Sequence, residues 1–164
     1  MTYLITFSCY GARIHGDAAG SVNRVQHVPG TPTLEADPVR VAVERGLMAQ
    51  APYQLDAARR DLVSRSVRDE CAYRNWTLLA LHARTNHVHI VVAAPQPPER
   101  ILNILKAYAS RALNRAGLDD PGRKRWSRHG STRYLWKPEE VEKAIAYVAD
   151  RQGEPMAVYV NEDR

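Results

Sequence analysis

Cysteine is scarce in this sequence, with Cys9 and Cys71 as the only two among 164 residues. Two cysteines cannot form the disulfide framework of a small secreted domain, so a reducing compartment is expected. The sequence contains no run of about 18 apolar residues, the length that a transmembrane helix requires. Its first residues also lack the basic start and the long apolar stretch of a signal peptide. These absences predict a cytoplasmic protein with no membrane partner.

Internal repeats and low-complexity tracts are absent as well. The composition is 45% hydrophobic and 25% charged, values that are ordinary for a globular protein. A chain of this length can bury a sizeable core in one domain. We therefore predict a single domain over residues 1–164, with an irregular, proline-containing insertion at about 25–53 and a short helix at 38–49 inside it.

The net charge of +5 is concentrated in one part of the chain. Eight basic residues and only two acidic ones lie between positions 106 and 133, whereas the segment from 137 onward has four basic and seven acidic residues. Aromatic residues are interleaved with the basic ones, and arginine with aromatic platforms is the chemistry of single-strand binding. A solvated basic face without a ligand is the alternative. The residues expected to contact nucleic acid are Lys106, Arg111, Arg123, Lys124, Arg125, Trp126, Arg128, His129 and Arg133.

The predicted elements follow the order strand, helix, strand, strand, helix, strand, helix. A strand is predicted at 3–10, and strands at 76–84 and 87–94 flank a tight turn, which is the pattern of a hairpin. Apolar residues at helical spacing predict helices at 55–74, 99–117 and 137–153. The segment 121–136 is predicted as a basic loop that leads into a short strand. This order fits an α+β fold of the ferredoxin-like or RRM-like type, an antiparallel sheet with helices on one face.

His87 and His89 lie two residues apart in the second hairpin strand and therefore project from the same face. Val88 points to the opposite face, into the helix layer. Two neutral imidazoles at this spacing can chelate one divalent cation, or they can lie on an exposed face and titrate independently. A catalytic metal usually has at least three protein ligands. His82, in the preceding strand, is a candidate for the third.

The last predicted helix contains a tyrosine that does not belong to its apolar stripe. On a regular helix, Tyr147 falls about 120 degrees from the centre of that stripe. It is therefore either a surface or interface residue or a catalytic one. A tyrosine hydroxyl can attack a phosphodiester to give a phosphotyrosine and a free 3′-hydroxyl, while a metal polarises a phosphate oxygen. The stripe residues are Val141, Ala144, Ile145 and Val148.

Four stretches, in this order, resemble the single-tyrosine HUH-type DNA transposases, which include insertion-sequence transposases and REP-associated tyrosine transposases. The stretches are LITFSCYGARIHGDAAGSV, RTNHVHIVV, HGSTRYLW and AIAYVADRQG, and together they span almost the whole sequence. The resemblance implies an RRM-like catalytic core, single-stranded DNA substrates folded into hairpins, and Mg²⁺ or Mn²⁺ as cofactor. It also implies that His87 and His89 bind the metal and that Tyr147 is the nucleophile of a 5′-phosphotyrosine intermediate.

The sequence departs from this family one helical turn after the tyrosine. A Gln or Asn at that position completes the family's metal site, but Arg151 occupies it here. Gln152 is the predicted third ligand, although on a regular helix it is about 140 degrees from Tyr147, so the helix must loosen before Gly153. There are two alternatives: Asp150 is the third ligand instead of Gln152, or the site has no third ligand. The resemblance also leaves open whether the protein is a monomer or a homodimer, in which the tyrosine could serve the partner's site.

Two other functions are consistent with the sequence. A non-catalytic protein that binds DNA or RNA hairpins on the same fold would show strongly salt-dependent binding and no covalent adduct. The departure at Arg151 favours this alternative. A small metal-dependent hydrolase that uses His82, His87 and His89 would need no tyrosine and ranks last.

Overall fold

The computed structural model describes residues 1–12 and 37–164. The strands in these ranges are β1 (Thr2–Cys9), β2 (Thr77–Ala83), β3 (His87–Ala93), β4 (Trp126–Leu135) and β5 (Ala157–Val160). The helices are α1 (Pro38–Leu47), α2 (Ala57–Tyr73), α3 (Pro98–Ala116) and α4 (Pro138–Asp150). The short helix expected within the insertion is confirmed as α1, whereas the part of the insertion from 25 to 36 lies outside the described residues. Within the described ranges, no helix is both long and apolar enough to cross a bilayer.

The strands form one antiparallel sheet in the order β4-β1-β3-β2-β5. β2 and β3 form the predicted hairpin, in which the Arg84 N–H donates to the His87 carbonyl at 2.9 Å. Strand β1, helix α2, the hairpin, helix α3 and strand β4 follow one another as in ferredoxin-like folds. The predicted α+β class with an antiparallel sheet is therefore confirmed.

One face of the sheet carries α2 and α3 and most of the core. Helix α2 is capped by Asp56, whose side chain accepts a hydrogen bond from the Arg59 N–H at 2.9 Å. Helix α3 ends at Gly117, which adopts a φ of 67° that glycine tolerates without strain. Every second residue of β1 points into this core, as the period of a strand requires. These residues are Tyr3, Ile5, Phe7 and Cys9.

Helix α4 lies on the opposite face of the sheet, so the expectation that all helices share one face is wrong for this helix. Its apolar stripe forms a second core with residues of β2, β3 and the end of β4. The physical reason is that β3 is apolar on both faces: Ile90 and Val92 belong to the first core and Val91 to the second. A continuous apolar run is typical of a strand that is buried on both sides. The second core consists of Ala80, Val91, Leu135, Ala144, Ile145 and Val148.

The two edge strands also differ from expectation. The basic segment predicted as a loop leading into a short strand is the ten-residue strand β4 from Trp126 onward. Its pairing with β1 shifts from Phe7–Gly130 to Cys9–Trp126, so three residues of β4 oppose a single residue of β1. Such irregularities bend an edge strand and disturb the ladder locally. Strand β5 was not predicted, because its four residues are too few to establish a periodic pattern.

Candidate active site

A cleft of about 580 Å³ opens between α4 and the face of the sheet on which α4 lies. Strands β1, β3 and β4 form its floor and α4 forms its wall. The cross-strand pairs Leu4–Arg133 and Thr6–Ser131 place polar residues of β4 on this face. Residues three and four apart on a helix lie on one side, which explains why successive turns of α4 reach the cleft. The lining residues are Leu4, Thr6, His89, Ser131, Arg133, Glu140, Lys143, Ala144 and Tyr147.

The structure brings the predicted histidine pair and the predicted tyrosine close together, and of these residues His89 and Tyr147 line the cleft. The ring centroids of His87 and His89 are 4.7 Å apart, and those of His89 and Tyr147 are 5.6 Å apart, both with edge-on geometry. Tyr147 is 41% exposed, whereas Ala144, Ile145 and Val148 of the apolar stripe are buried. Tyr147 therefore lies outside the core and lines the cleft.

A neighbouring side chain orients each of the two imidazoles. The Nδ1 atom of His87 lies 2.6 Å from Oδ1 of Asn86, and Nδ1 of His89 lies 2.8 Å from Oγ1 of Thr6. Because an amide oxygen can only accept, Nδ1 of His87 is the donor in its hydrogen bond to Asn86. Hydrogen bonds to one ring nitrogen commonly orient metal-binding histidines that coordinate through the other.

Sequence reasoning did not identify Thr6 or Asn86, although signals were present for both. Thr6 is a polar residue within β1, and the register of β1 and β3 pairs it directly with His89. Residues paired directly across two strands project from the same face. Asn86 precedes His87 at the end of the hairpin turn, where its short side chain can reach the neighbouring ring.

His82 is the direct cross-strand partner of His89, but its ring is part of the fold. Its Nδ1 lies 3.0 Å from the Val148 carbonyl, and its Nε2 accepts a hydrogen bond from the Met156 N–H at 3.1 Å. Burial lowers the pKa of the His82 imidazole, which favours the neutral ring that these two bonds require. Both ring nitrogens thus join α4 and the segment before β5 to the sheet. His82 is not available as a metal ligand, so the hydrolase that would use three histidines is not supported.

Gln152 lies just beyond the end of α4. The helix ends at Asp150, and Arg151 has a φ of −110° and a ψ of 22°, so the chain leaves helical geometry before Gln152, as the prediction for this residue requires. The Gln152 Nε2 donates to the Tyr147 carbonyl at 3.2 Å, which leaves its amide oxygen as the atom that could bind a cation. In residues 1–12 and 37–164, no three His, Cys, Asp or Glu side chains form a group that could hold a metal ion. The role of Gln152 as third ligand stays a prediction.

Two cations and one carboxylate also line the cleft. Arg133 comes from β4 and Lys143 from α4. The Glu140 carboxylate accepts hydrogen bonds from the Trp136 and Lys137 N–H groups, at 2.7 and 3.1 Å, and these bonds lower its pKa. Because Glu140 caps the first turn of α4 in its ionised form, it is not suited to act as a proton donor. The arginine and the lysine favour a bound anion.

Three residues predicted to contact nucleic acid have their side chains engaged within the fold, which corrects that prediction for them: Lys106 and Arg125 are buried and Trp126 is half-buried. The Lys106 ammonium donates to the Ser127 and His129 carbonyls at 2.7 and 3.1 Å, and its pKa is lowered by burial. Arg125 is 4% exposed and pairs with an aspartate of the preceding loop. The Trp126 indole N–H donates to α3, and its ring packs edge-on against the core. All three anchor β4 and its preceding loop to the fold.

The remaining predicted contacts lie at the surface, but in different places. Arg111 lies on α3 with its guanidinium 4.7 Å from the centre of a tyrosine ring of that helix. Arg123 donates to Gln50 and Ala51, and the neighbouring Lys124 is exposed. The three remaining predicted contacts on β4 are exposed, and of these only Arg133 lines the cleft. They are Arg128, His129 and Arg133.

Comparison with known proteins shows a similarity in fold. No protein-family model matches the sequence, and no curated protein matches it. Among solved structures, a REP-associated tyrosine transposase bound to a REP hairpin is similar, with a TM-score of 0.51 and 10% sequence identity. The alignment covers 90% of this chain and 64% of the transposase chain. The two proteins therefore share a fold, and this chain spans less than two thirds of the length of that structure.

Proposed function

We propose that this protein binds single-stranded DNA that carries hairpins and that it cleaves and rejoins this DNA through Tyr147. The observation that carries the proposal is the contact of Tyr147 with His89 in a cleft that two cations line. The fold shared with a REP-associated tyrosine transposase, whose structure contains a REP hairpin, supports hairpin DNA as the substrate.

Tyr147 is the proposed nucleophile. Its hydroxyl oxygen forms a bond to the phosphorus of the scissile phosphodiester, the bond from phosphorus to the 3′ oxygen breaks, and the phenolic proton passes through water to the departing oxygen. The products are a 5′-phosphate linked to Tyr147 and a free 3′-hydroxyl. Because one phosphate ester replaces another, a 3′-hydroxyl can attack the tyrosine ester, which reverses the reaction and rejoins a strand.

Arg133 and Lys143 are the proposed phosphate-binding residues. Arg133 comes from the edge strand β4, and Lys143 comes from the helix that carries Tyr147. Cations fixed next to a phosphate stabilise the charge that develops in the transition state. Since Tyr147 lies one helical turn after Lys143, the nucleophile and a phosphate-binding cation share one face of α4.

His87 and His89 are the proposed ligands of a divalent cation, Mg²⁺ or Mn²⁺. Their adjacent rings, each held at Nδ1 by a neighbouring side chain, fit two imidazole ligands. The imidazole donors favour Mn²⁺ over Mg²⁺, which prefers oxygen ligands. Gln152 is proposed to contribute its amide oxygen. When bound, such a cation acts as a Lewis acid on a phosphate oxygen.

A second function is favoured by a specific observation. The described residues offer no third histidine, cysteine or carboxylate ligand beside the pair, and Arg151 stands where the transposases have an amide. A domesticated protein that binds DNA or RNA hairpins without cutting them would keep the fold and the cationic cleft. It would bind hairpins with a steep salt dependence and form no covalent adduct with any divalent metal.

The test is a denaturing gel after incubation of the protein with labelled single-stranded DNA that contains a hairpin, in the presence of Mn²⁺. We expect a DNA-linked protein band for the natural sequence and none for Tyr147→Phe, which should still bind the hairpin with nearly unchanged affinity. Replacement of both His87 and His89 by Ala should lower the cleavage rate by about 10²–10³-fold, the usual effect of losing an electrostatic stabiliser.

The matched control is Tyr73→Phe, which removes the hydroxyl of a tyrosine on α2 that is 79% exposed. This variant should form the adduct at the rate of the natural protein. Equal adduct formation by Tyr147→Phe would refute the assignment of the nucleophile. Hairpin binding without any adduct would favour the non-catalytic alternative.

A further inference from the structure

Two aromatic side chains are stacked and exposed at the edge of the sheet. The rings of Tyr134 and Trp136 are nearly parallel, with an interplanar angle of 11° and centroids 5.2 Å apart. Trp136 is 68% exposed and Tyr134 is 40% exposed. Large aromatic surfaces left in water on a soluble protein often mark binding sites. The other two tryptophans differ, because Trp76 is buried and Trp126 is packed against the core.

This pair is anchored on both sides. The ring of Tyr134 packs edge-on against Tyr3 of the first core, with centroids 5.1 Å apart. The Trp136 N–H donates to the Glu140 carboxylate at 2.7 Å, which ties Trp136 to the start of α4. These contacts hold the position of the two rings before any ligand arrives. A preorganised stack loses little conformational entropy when it binds a flat partner.

The pair lies at the edge of the sheet beside the candidate active site, but its rings are on the opposite face. Arg133 lines the cleft, whereas Tyr134, the next residue of the edge strand β4, projects from the other face and contacts Tyr3. Glu140, which holds the backbone of Trp136, is itself part of the cleft wall. Arg133 and Lys137 both act electrostatically on the Glu140 carboxylate, so two cations lie at this end of α4. Because β4 is an edge strand, a DNA strand that leaves the cleft at this end and passes around β4 would meet cations for its phosphates and then an aromatic surface for its bases.

We propose that Tyr134 and Trp136 form a platform on which an unpaired base of the single-stranded DNA stacks, where the strand passes from the cleft around the edge strand β4. The base would extend the existing pair to a stack of three rings, with Trp136 in the middle. Stacking on aromatic side chains tolerates any base, so the platform would hold the strand without reading its sequence. This proposal rests on the proposed function because it assigns the path of the same substrate.

The test measures binding in the absence of divalent metal, so that its outcome does not depend on cleavage. The emission of the full-length protein is followed during titration with a single-stranded oligonucleotide, a blunt duplex, and an abasic oligonucleotide with the same number of phosphates. We expect the single strand to quench the exposed indole and the other two to leave it largely unquenched. Trp136→Ala should remove the quenching and weaken single-strand binding about tenfold or more, since base–aromatic stacking has this magnitude.

Two variants complete the test. Trp136→Tyr keeps an aromatic ring and should restore most of the affinity, while Tyr73→Ala removes an exposed ring on α2 and should change nothing. If Trp136→Ala binds single-stranded DNA and abasic DNA each with the affinity of the natural protein, the platform is overturned, even if the covalent adduct with Tyr147 forms. Dimerisation that Trp136→Ala abolishes, measured by sedimentation without DNA, would overturn it as well, because a second copy would then cover the pair. Absence of the adduct together with base-dependent quenching would refute the cleavage and leave the platform in place.

Discussion

Lys106 can be either a cation that stabilises the fold or a residue that binds nucleic acid, and the variant Lys106→Met distinguishes these two roles. The basic segment of the sequence suggests that this lysine binds phosphate, whereas the structure buries it under β4. Its ammonium donates to the carbonyls of Ser127 and His129, in the stretch where the pairing of β4 with β1 is irregular. Methionine has a similar unbranched stem but cannot donate a hydrogen bond.

The expected decrease in the free energy of unfolding follows from the loss of the two hydrogen bonds of Lys106. A buried polar group that loses its partner costs about 1–3 kcal/mol, and two carbonyls lose theirs. Part of this loss is offset because methionine avoids the desolvation of a buried ammonium, which in the natural protein lowers the pKa of Lys106. We therefore expect Lys106→Met to lower the free energy of unfolding by about 1–3 kcal/mol.

Urea denaturation followed by circular dichroism measures this loss, and hairpin binding at several salt concentrations measures the phosphate contacts. For folded Lys106→Met the slope of log affinity against log salt should equal that of the natural protein. The control is Arg128→Gln, an exposed residue of the same strand, which should leave stability unchanged and reduce the slope by about 1 if it binds a phosphate. Unchanged stability of Lys106→Met with a reduced salt slope would refute the structural role of this lysine.

Three further predictions concern the fold. Gly130→Ala should lower the free energy of unfolding by about 1–3 kcal/mol in urea denaturation, because the new Cβ would lie 2.6 Å from a backbone oxygen of β1. Gly122→Ala is the control and should be close to neutral, because a Cβ at Gly122 would have no heavy atom within 4 Å. Burial raises the pKa of the Cys9 and Cys71 thiols to about 12, so neither should react with a thiol reagent at pH 8 until the protein unfolds, and reaction at the rate of free cysteine would contradict this. Burial alone would raise the pKa of the Asp119 carboxyl, but hydrogen bonds from an arginine and a tyrosine hold it below its ordinary 3.8. The stability that this carboxylate contributes should therefore be complete above about pH 5 and fall as the pH drops towards 3, and Asp119→Asn should flatten this part of the curve of stability against pH.

The elements that were predictable from sequence are those with a long periodic pattern or a short turn signal. The hairpin around His87 and the amphipathic helix α3 are found as expected. The exclusion of Tyr147 from the apolar stripe of α4 was also correct, since that residue is exposed while Ala144, Ile145 and Val148 of the stripe are buried. Local periodicity determines which side of an element is apolar, and this determines which side is left for a ligand.

The elements that were not predictable depend on contacts between distant parts of the chain. Nothing local to Lys106, Arg125 or Trp126 distinguishes a buried position from an exposed one, because their burial results from the docking of β4 against α3. The position of α4 on the second face depends on β3 being apolar on both sides, a signal that is visible only once the strand is known to be central. The contact between His89 and Tyr147 arises from that position and could be expected only from the resemblance to transposases.

The central claim is that Tyr147 becomes covalently linked to DNA, and peptide mass spectrometry of the trapped adduct tests it most directly. Tryptic cleavage after Lys143 and Arg151 isolates a peptide from 144 to 151 that contains Tyr147 as its only tyrosine. After reaction with hairpin DNA and Mn²⁺ and digestion with nuclease, we predict that this peptide carries a 5′-nucleotide on the tyrosine. Nucleotide on any other peptide, or cleaved DNA with an unmodified 144–151 peptide, would contradict the claim.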